Sequence, residues 1–491
     1  MRSAVNILFA STEVAPYAST GGLGEVAGAL PRALAGAGAR VACVMPMYRS
    51  ILEGAAPAHD TGLRLRIPLG FTAHTGEVWA ASDDTGPTVY FIRRDEFFDR
   101  RGIYGIDGRD YDDNLVRFIF FQKAVVALID AMGLSPEVVH AHDWSTGLVP
   151  LFLRHGPRGT GRKAAERCVF TIHNLAYQGV FSGSHFPVTN LPYSCFSIET
   201  MEFYGKINCM KAGLTTADRV STVSEAYAQE ILTPAHGCGL DGVLRDLGPR
   251  LSGIPNGIDT AAWNPATDPL LTHRFSASRL AGRARGRAAL AEELGLDIPD
   301  KAPLIGMISR LVDQKGLDIL VEAMPRIMED GAAFVLLGTG ERKYEALARQ
   351  WMARWPRRFR AQIAFDTVFA HRIQAGADIH LMPSRFEPCG LGQLYALRYG
   401  ALPVVNPTGG LDDTIQALSA DGRIGNGIRM REYSAEAMVE AVREAVRWIG
   451  NAKRWPAIQR RLMSEDHSWA HSAKRYMALY ADALGDSKPV V

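Results

Sequence analysis

Short apolar runs recur along the chain, each the length of a buried strand, and stretches of helical length separate them. In the first half the runs fall at residues 5–10, 40–45, 138–141, 168–172 and 219–223, the last closing the series. Helices are predicted at about 25–37, 116–132 and 224–232, and residues 61–81 and 88–92 read as further strands inserted into the alternation. Strands alternating with helical lengths predict a parallel sheet covered on both faces. Near residues 251–264 the pattern breaks at Gly253, Pro255, Asn256-Gly257 and Pro265, which is turn chemistry dense enough for a linker. The alternation restarts with strands at 303–308, 333–337, 361–365, 379–382 and 401–405, and from Ala435 onward the pattern is helical. The expected divisions are a domain over 1–252, a second over 253–468 and a terminal helix over 469–491.

A chain of 491 residues exceeds one hydrophobic core, in keeping with that division. Its hydrophobic content of 47% and charged content of 22% are those of a globular protein. A formal net charge of +2 gives no global field for nucleic acid. The basic runs Arg279, Arg283, Arg285, Arg287 and Arg354, Arg357, Arg358, Arg360 read as solvated surface. The six cysteines show no zinc spacing, which suits a reducing cytoplasm. The N-terminal stretch after Met1-Arg2-Ser3 is too short an apolar run for a signal peptide. Residues 118–132 are interrupted by Gln122, Lys123 and Asp130 and read as a core helix, so no membrane span is expected.

The densest chemistry lies in Pro383-Ser384-Arg385-Phe386-Glu387-Pro388-Cys389-Gly390-Leu391-Gly392-Gln393-Leu394, between a strand and a helix. Glu387 thereby stands beside a glycine-flanked helix start, whose free N–H groups favour an anion. A carboxylate and a phosphate share a place when something neutral and polar lies between them, and a sugar carried on a diphosphate fits. Arg310 and Lys315, at another strand end, could converge on such phosphates, Arg through its fork and Lys as a point charge. Alone they would read as exposed cations; the Glu387 turn in the same domain reverses that preference. They also remove the need for a metal, and Asp112-Asp113 and Asp412-Asp413 read as helix-start charges. No cofactor is expected. The turn Gly338-Thr339-Gly340 would either admit ribose or phosphate to the backbone or serve strand-to-helix packing. Phe365 would stack on a base or sit in the core. His173 ends a strand, and structural and ligand roles stand about even. His142-Asp143-Trp144 ends another, and a carboxylate beside a tryptophan suits carbohydrate. Finally, Thr20-Gly21-Gly22-Leu23 is echoed by Thr408-Gly409-Gly410-Leu411, each opening a helix, which agrees with two similar α/β units.

Together with Asn256-Gly257-Ile258-Asp259, these motifs resemble, nearly end to end, the bacterial glycogen synthase and plant starch synthase family. That resemblance implies a GT-B fold, two Rossmann-like doubly wound domains facing across a cleft, with the C-terminal helix returning to the first domain. It implies transfer of glucose from ADP-glucose to an α-1,4-glucan with retention and without a metal. By motif, Arg310 and Lys315 would hold the diphosphate and Glu387 the glucose hydroxyls. Backbone N–H groups from Cys389, Gly390, Leu391 and Gly392 would cap the phosphates, and Gly338 and Gly340 would border the nucleotide. Asp143 and His173 would line the sugar, Asn256 would sit near it, and Phe365 would face adenine where the family commonly has tyrosine. Ser19, Gly21 and Gly22 form the first motif, in which the family has lysine at the position of Ser19. Losing that charge is expected to weaken donor binding without abolishing activity. Gly392 stands where the family often has threonine. A retaining transferase with another nucleotide sugar or acceptor, a weakly active glucan-binding paralogue, and a homo-oligomer all stay open.

Overall fold

A computed structural model describes residues 4–54, 58–82, 86–106, 108–155, 166–299 and 302–485. Residues 1–3 and 486–491, within the N-terminal and terminal-helix readings, lie outside these. The chain divides into two compact units: Met1–Asn256 with Trp469–Val491, and Gly257–Ser468.

The first unit is built on a nine-stranded sheet among the described residues. Its strands are β1 (Asn6–Ala10), β2 (Arg40–Pro46), β3 (His59–Leu69), β4 (Thr72–Ala81), β5 (Thr88–Arg93), β6 (Val138–His142), β7 (Arg167–Ile172), β8 (Arg219–Thr222) and β9 (Leu251–Gly253). Their order is β9-β8-β7-β6-β1-β2-β5-β4-β3. All neighbours from β9 to β5 are parallel, while β4 runs antiparallel to both β5 and β3. Beyond their first residues, the β1, β6 and β7 strands are buried because both faces are covered. The helix Asn114–Ala131 is buried almost all round, and Trp469–Ala483 adds Trp469, Ala473, Tyr476 and Tyr480 to the same core as Phe9 and Phe170. Among the described residues no helix is long and apolar enough to cross a membrane.

Among the described residues the second unit holds six strands: β10 (Leu304–Ile308), β11 (Ala333–Leu337), β12 (Phe359–Gln362), β13 (Ile379–Met382), β14 (Leu402–Val405) and β15 (Ile428–Arg429). They are all parallel, in the order β12-β11-β10-β13-β14-β15. In both units the chain starts at a middle strand, builds one side of the sheet (in the first unit, inward from the edge through β3, β4 and β5) and then returns to build the other. That is the doubly wound topology, and its switch points lie between β1 and β6 and between β10 and β13. Ligands of such sheets bind beyond the carboxyl ends of those strand pairs.

Three expectations are corrected. Residues 219–223 do not close the first sheet, because β9 pairs with β8 inside the segment read as a linker. Backbone pairing carries β9, and three residues are too few for an apolar period to register. The strand expected over 361–365 is β12 and ends at Gln362, since Asp366 caps the next helix by accepting from the Phe369 N–H at 2.8 Å. The basic run 279–287 is not all surface. Arg283 is 4% exposed and donates to Tyr399 O at 3.0 Å and to Ala377 O, at the C-terminal ends of two helices, with Asp378 3.6 Å away. A guanidinium there satisfies last-turn carbonyls that have no partner within their own helices. Arg287 shares Asp378 at 2.9 Å.

Removing Arg283 would strand those carbonyls. Arg283→Ala is expected to lose about 3 kcal/mol of unfolding free energy, whereas exposed Arg285→Ala should change it by less than about 0.5 kcal/mol, both read by urea titration.

Candidate functional site

In the second unit the switch point gathers the loops after β10 and β13. The chain leaves β10 through Ser309 and Arg310, makes a single helical turn over Asp313–Lys315, and turns at Gly316. Gly316 has φ 76°, and a Cβ there would lie 2.1 Å from Pro383 O, so only glycine lets the loops abut. Gln314 ties the same loops: its carbonyl accepts from the Arg385 N–H at 2.8 Å and its amide donates to Phe386 O at 3.2 Å. This delivers the Lys315 ammonium to Glu387 at 2.5 Å. Ser384 donates to the same carboxylate oxygen at 2.9 Å, and Glu387 is 5% exposed. Arg310 is exposed and donates to Gln314 Oε1 at 3.0 Å.

The turn Gly338-Thr339-Gly340 is hydrogen-bonded to the Arg310 loop, Leu311 N–H donating to Thr339 O at 2.9 Å. A Cβ on Gly338 would meet Ser309 O at 1.8 Å, so close packing of these loops already requires glycine. Phe365 is 80% exposed, which removes the core reading of that ring. The helix Gly392–Tyr399 begins just after Cys389-Gly390-Leu391, and no side chain caps it. Beneath that start lies His380, fully buried in β13 with neither ring nitrogen bonded. A Cβ at residue 392 would sit 2.9 Å from His380 Nε2, so the imidazole fills the room a larger residue would need.

In the first unit the switch point gathers the ends of β1, β6 and β7. Asp143 follows β6 with φ 58° and ψ 178°, a region that costs a non-glycine residue on the order of 1–3 kcal/mol. It is held there because its N–H donates to Thr171 O at 3.0 Å and its Oδ1 accepts from the His173 N–H at 2.7 Å. Burial pushes the Asp143 carboxyl up to about 7 against those stabilising N–H bonds. His173 ends β7, and burial drives its imidazole down to about 3. Trp144 is half-buried among Phe118, Phe181 and Tyr104, with ring centroids at 5.2, 5.7 and 6.1 Å. It also packs against Gly179. Asn256 is 8% exposed and its Oδ1 has no partner.

Sequence reasoning missed Glu13, three residues beyond β1. It is 3% exposed and accepts from the Thr20 N–H at 2.5 Å, the Thr20 hydroxyl at 2.9 Å and the Tyr104 hydroxyl at 2.8 Å. Burial raises its pKa. A carboxylate just past an apolar strand was the available signal. Glu13 fixes the loop bearing Ser19, whose hydroxyl donates to Gly21 O at 3.1 Å, ahead of the helix starting at Gly22. His142, placed by the sequence at this strand end without a role, has its Nδ1 3.0 Å from His173 Nε2.

With this geometry in place, comparisons with known proteins are informative. Residues 6–246 match the starch synthase catalytic domain and 293–455 the glycosyl transferases of group 1. The chain is 47% identical to the glycogen synthase of Anaeromyxobacter dehalogenans strain 2CP-C, over 97% of this chain and 99% of the relative. It is 42% identical to glycogen synthase 2 of Geobacter sulfurreducens, over 97% and 98%. The catalytic domain of starch synthase IV from Arabidopsis thaliana, solved bound to ADP and acarbose, superposes with a TM-score of 0.91 at 31% identity, covering 99% of this chain and all of that one.

Two outcomes check the site. Gly392→Thr is expected to lower thermal stability through the contact with His380, and His380→Ala in the same chain should recover part of that loss in a double-mutant cycle. The pH dependence has two opposed parts. Histidines 140, 142 and 173 are neutral when folded yet protonate when unfolded below about 6.5, so their contribution rises with pH up to that point. Asp143 holds a proton when folded between about 4 and 7 but not when unfolded, so its contribution is fully present below about 4 and is lost as pH rises to about 7. Asp143→Asn should therefore gain stability relative to the parent as pH climbs from 4 to 8, by up to about 4 kcal/mol, read by urea unfolding at each pH.

Proposed function

We propose that this chain, which belongs to the starch and glycogen synthase family of glycosyltransferases, is a glycogen synthase extending an α-1,4-glucan with glucose from ADP-glucose. The observation that carries the reading is the Lys315–Glu387 pair at the switch point of the second sheet, beside an uncapped helix start. A diphosphate needs cations and free N–H groups, and a pyranose needs a fixed carboxylate for its hydroxyls. Arg310 and Lys315 take the diphosphate, Glu387 the glucose hydroxyls, and the N–H groups of residues 389–392 the phosphates. Phe365 offers a ring face to adenine, and Gly338 and Gly340 border the nucleotide. Asp143, Trp144 and His173 serve the transferred sugar, with Asn256 and the loop of Ser19, Gly21 and Gly22 completing the set.

The chemistry follows from where charge develops. As the glycosidic bond to the diphosphate breaks, the sugar becomes oxocarbenium-like and negative charge gathers on the leaving phosphate. Fixed cations at that oxygen lower the barrier most. The acceptor hydroxyl enters on the same face, giving its proton to the departing phosphate oxygen, so configuration is retained. Burial disfavours the charged forms of both Asp143 and His173, and the two hydrogen-bond the sugar. The reading carries a cytoplasmic location and no metal requirement.

ADP release with glycogen as acceptor should be much faster from ADP-glucose than from UDP-glucose; a UDP preference would exclude this donor. Lys315→Gln should lower kcat by roughly 10²-fold, as expected for one charge-stabilising donor. Ser19→Lys should lower the donor KM or raise turnover about ten- to a hundredfold, the worth of one charge-assisted bond. No change in either would mean that the charge is supplied by another residue.

A further inference from the structure

His142 closes β6 wholly buried, its ring stacked on Phe9 at 4.1 Å and 4.0 Å from the ring of His140. Its Nδ1 faces His173 Nε2 at 3.0 Å, while its Nε2 is buried without a partner. Neutral imidazole has one donor and one acceptor nitrogen. Burial keeps both rings neutral, so a single proton lies between them.

Two arrangements satisfy that bond. In one, His173 donates from Nε2, and His142 must then carry its own proton on Nε2, a buried N–H facing no acceptor. In the other, His142 donates from Nδ1 and leaves only a bare lone pair on Nε2. Orphaned buried N–H groups are rarer and costlier than under-used acceptors, which decides for the second. His173 then accepts at Nε2 and carries its proton on Nδ1. Among the described residues its ring bonds through Nε2 alone, which leaves the Nδ1–H for a ligand. His140 does not compete, because Tyr480 at 2.8 Å and Thr171 at 2.7 Å engage its two nitrogens.

We infer that His142 is a positioning residue that locks His173 in the Nδ1–H tautomer, so that it meets a sugar hydroxyl oxygen as a donor. The inference rests on the assignment of His173 to the transferred sugar. Consecutive residues at one strand end hold His173 twice: the Asp143 carboxylate accepts from the His173 backbone N–H, and the His142 ring meets the His173 ring. The grip leaves the imidazole neither rotation nor a choice of tautomer.

The test uses full-length protein with ¹⁵N-labelled histidine rings, His173 being assigned by its loss in His173→Ala. The expected spectrum shows protonated Nδ1 and bare Nε2 on His173, unchanged between pH 6 and 8. His142→Leu should lower kcat roughly tenfold, the worth of one hydrogen bond, with a smaller change in donor KM. His142→Asn, whose amide N–H can stand in for Nδ1–H, should restore most of that turnover. A proton on Nε2 of His173 in the parent overturns the inference, as does unchanged turnover in His142→Leu, or His142→Asn no faster than His142→Leu at equal thermal stability. Parental turnover in His173→Ala would instead overturn the assignment of His173 to the sugar, and is distinguishable because the labelled rings of the parent still report the bond to His142.

Discussion

The site in the second unit depends on bringing one ammonium and one carboxylate together at a switch point. Glu387 is almost fully buried, and an uncompensated buried carboxylate costs several kcal/mol. Lys315 supplies the compensation from the neighbouring strand end, and the surrounding loops are shaped by that need. Gly316 turns where no side chain fits, Gln314 ties both loops, and Ser384 completes the carboxylate's bonds. On the proposed function, a diphosphate arriving beside the helix start would meet an ammonium already fixed at one end, so little ordering entropy would remain to be lost on binding. The same pair explains how an anion and a carboxylate tolerate close quarters, since the cation between them offsets both.

Much of this arrangement was legible from the chain. Strands alternate with helices at regular lengths, and polar groups stand where apolar runs stop, at His142, His173, Arg310 and Glu387. What escaped reading was what three-dimensional packing alone decides. Arg283 looks like its exposed neighbours Arg279 and Arg285, and only the convergence of two helix ends on it makes it a buried cap. The strand β9 is held by backbone bonds that leave no side-chain period. Glu13 signals little by itself, and its importance comes from a loop that folds back onto it. The exposure of Phe365 follows from an early strand end set by the Asp366 cap, which the apolar run conceals.

The two switch points differ in electrostatic character, and the difference suits two kinds of substrate group. At the first, the titratable side chains are buried and pushed toward neutrality: Glu13 and Asp143 upward, His140, His142 and His173 downward. This surface offers hydrogen-bonding groups whose charged forms burial disfavours, which matches a polyol. At the second, Arg310 is exposed and Lys315 reaches Glu387 from a half-buried loop, next to N–H groups that no side chain caps. That surface can stabilise an anion as it forms. A glycosyl transfer separates charge in this sense, since the sugar passes through a cation-like state while the leaving group collects the negative charge. Full negative charges around the sugar would hold the ground-state donor off by repelling its diphosphate, whereas neutral donors and acceptors orient it without that penalty. On the proposed function, the desolvation that shifts Asp143 and the histidines would serve the transfer, and the strained backbone at Asp143 is the local cost of holding that carboxyl in place.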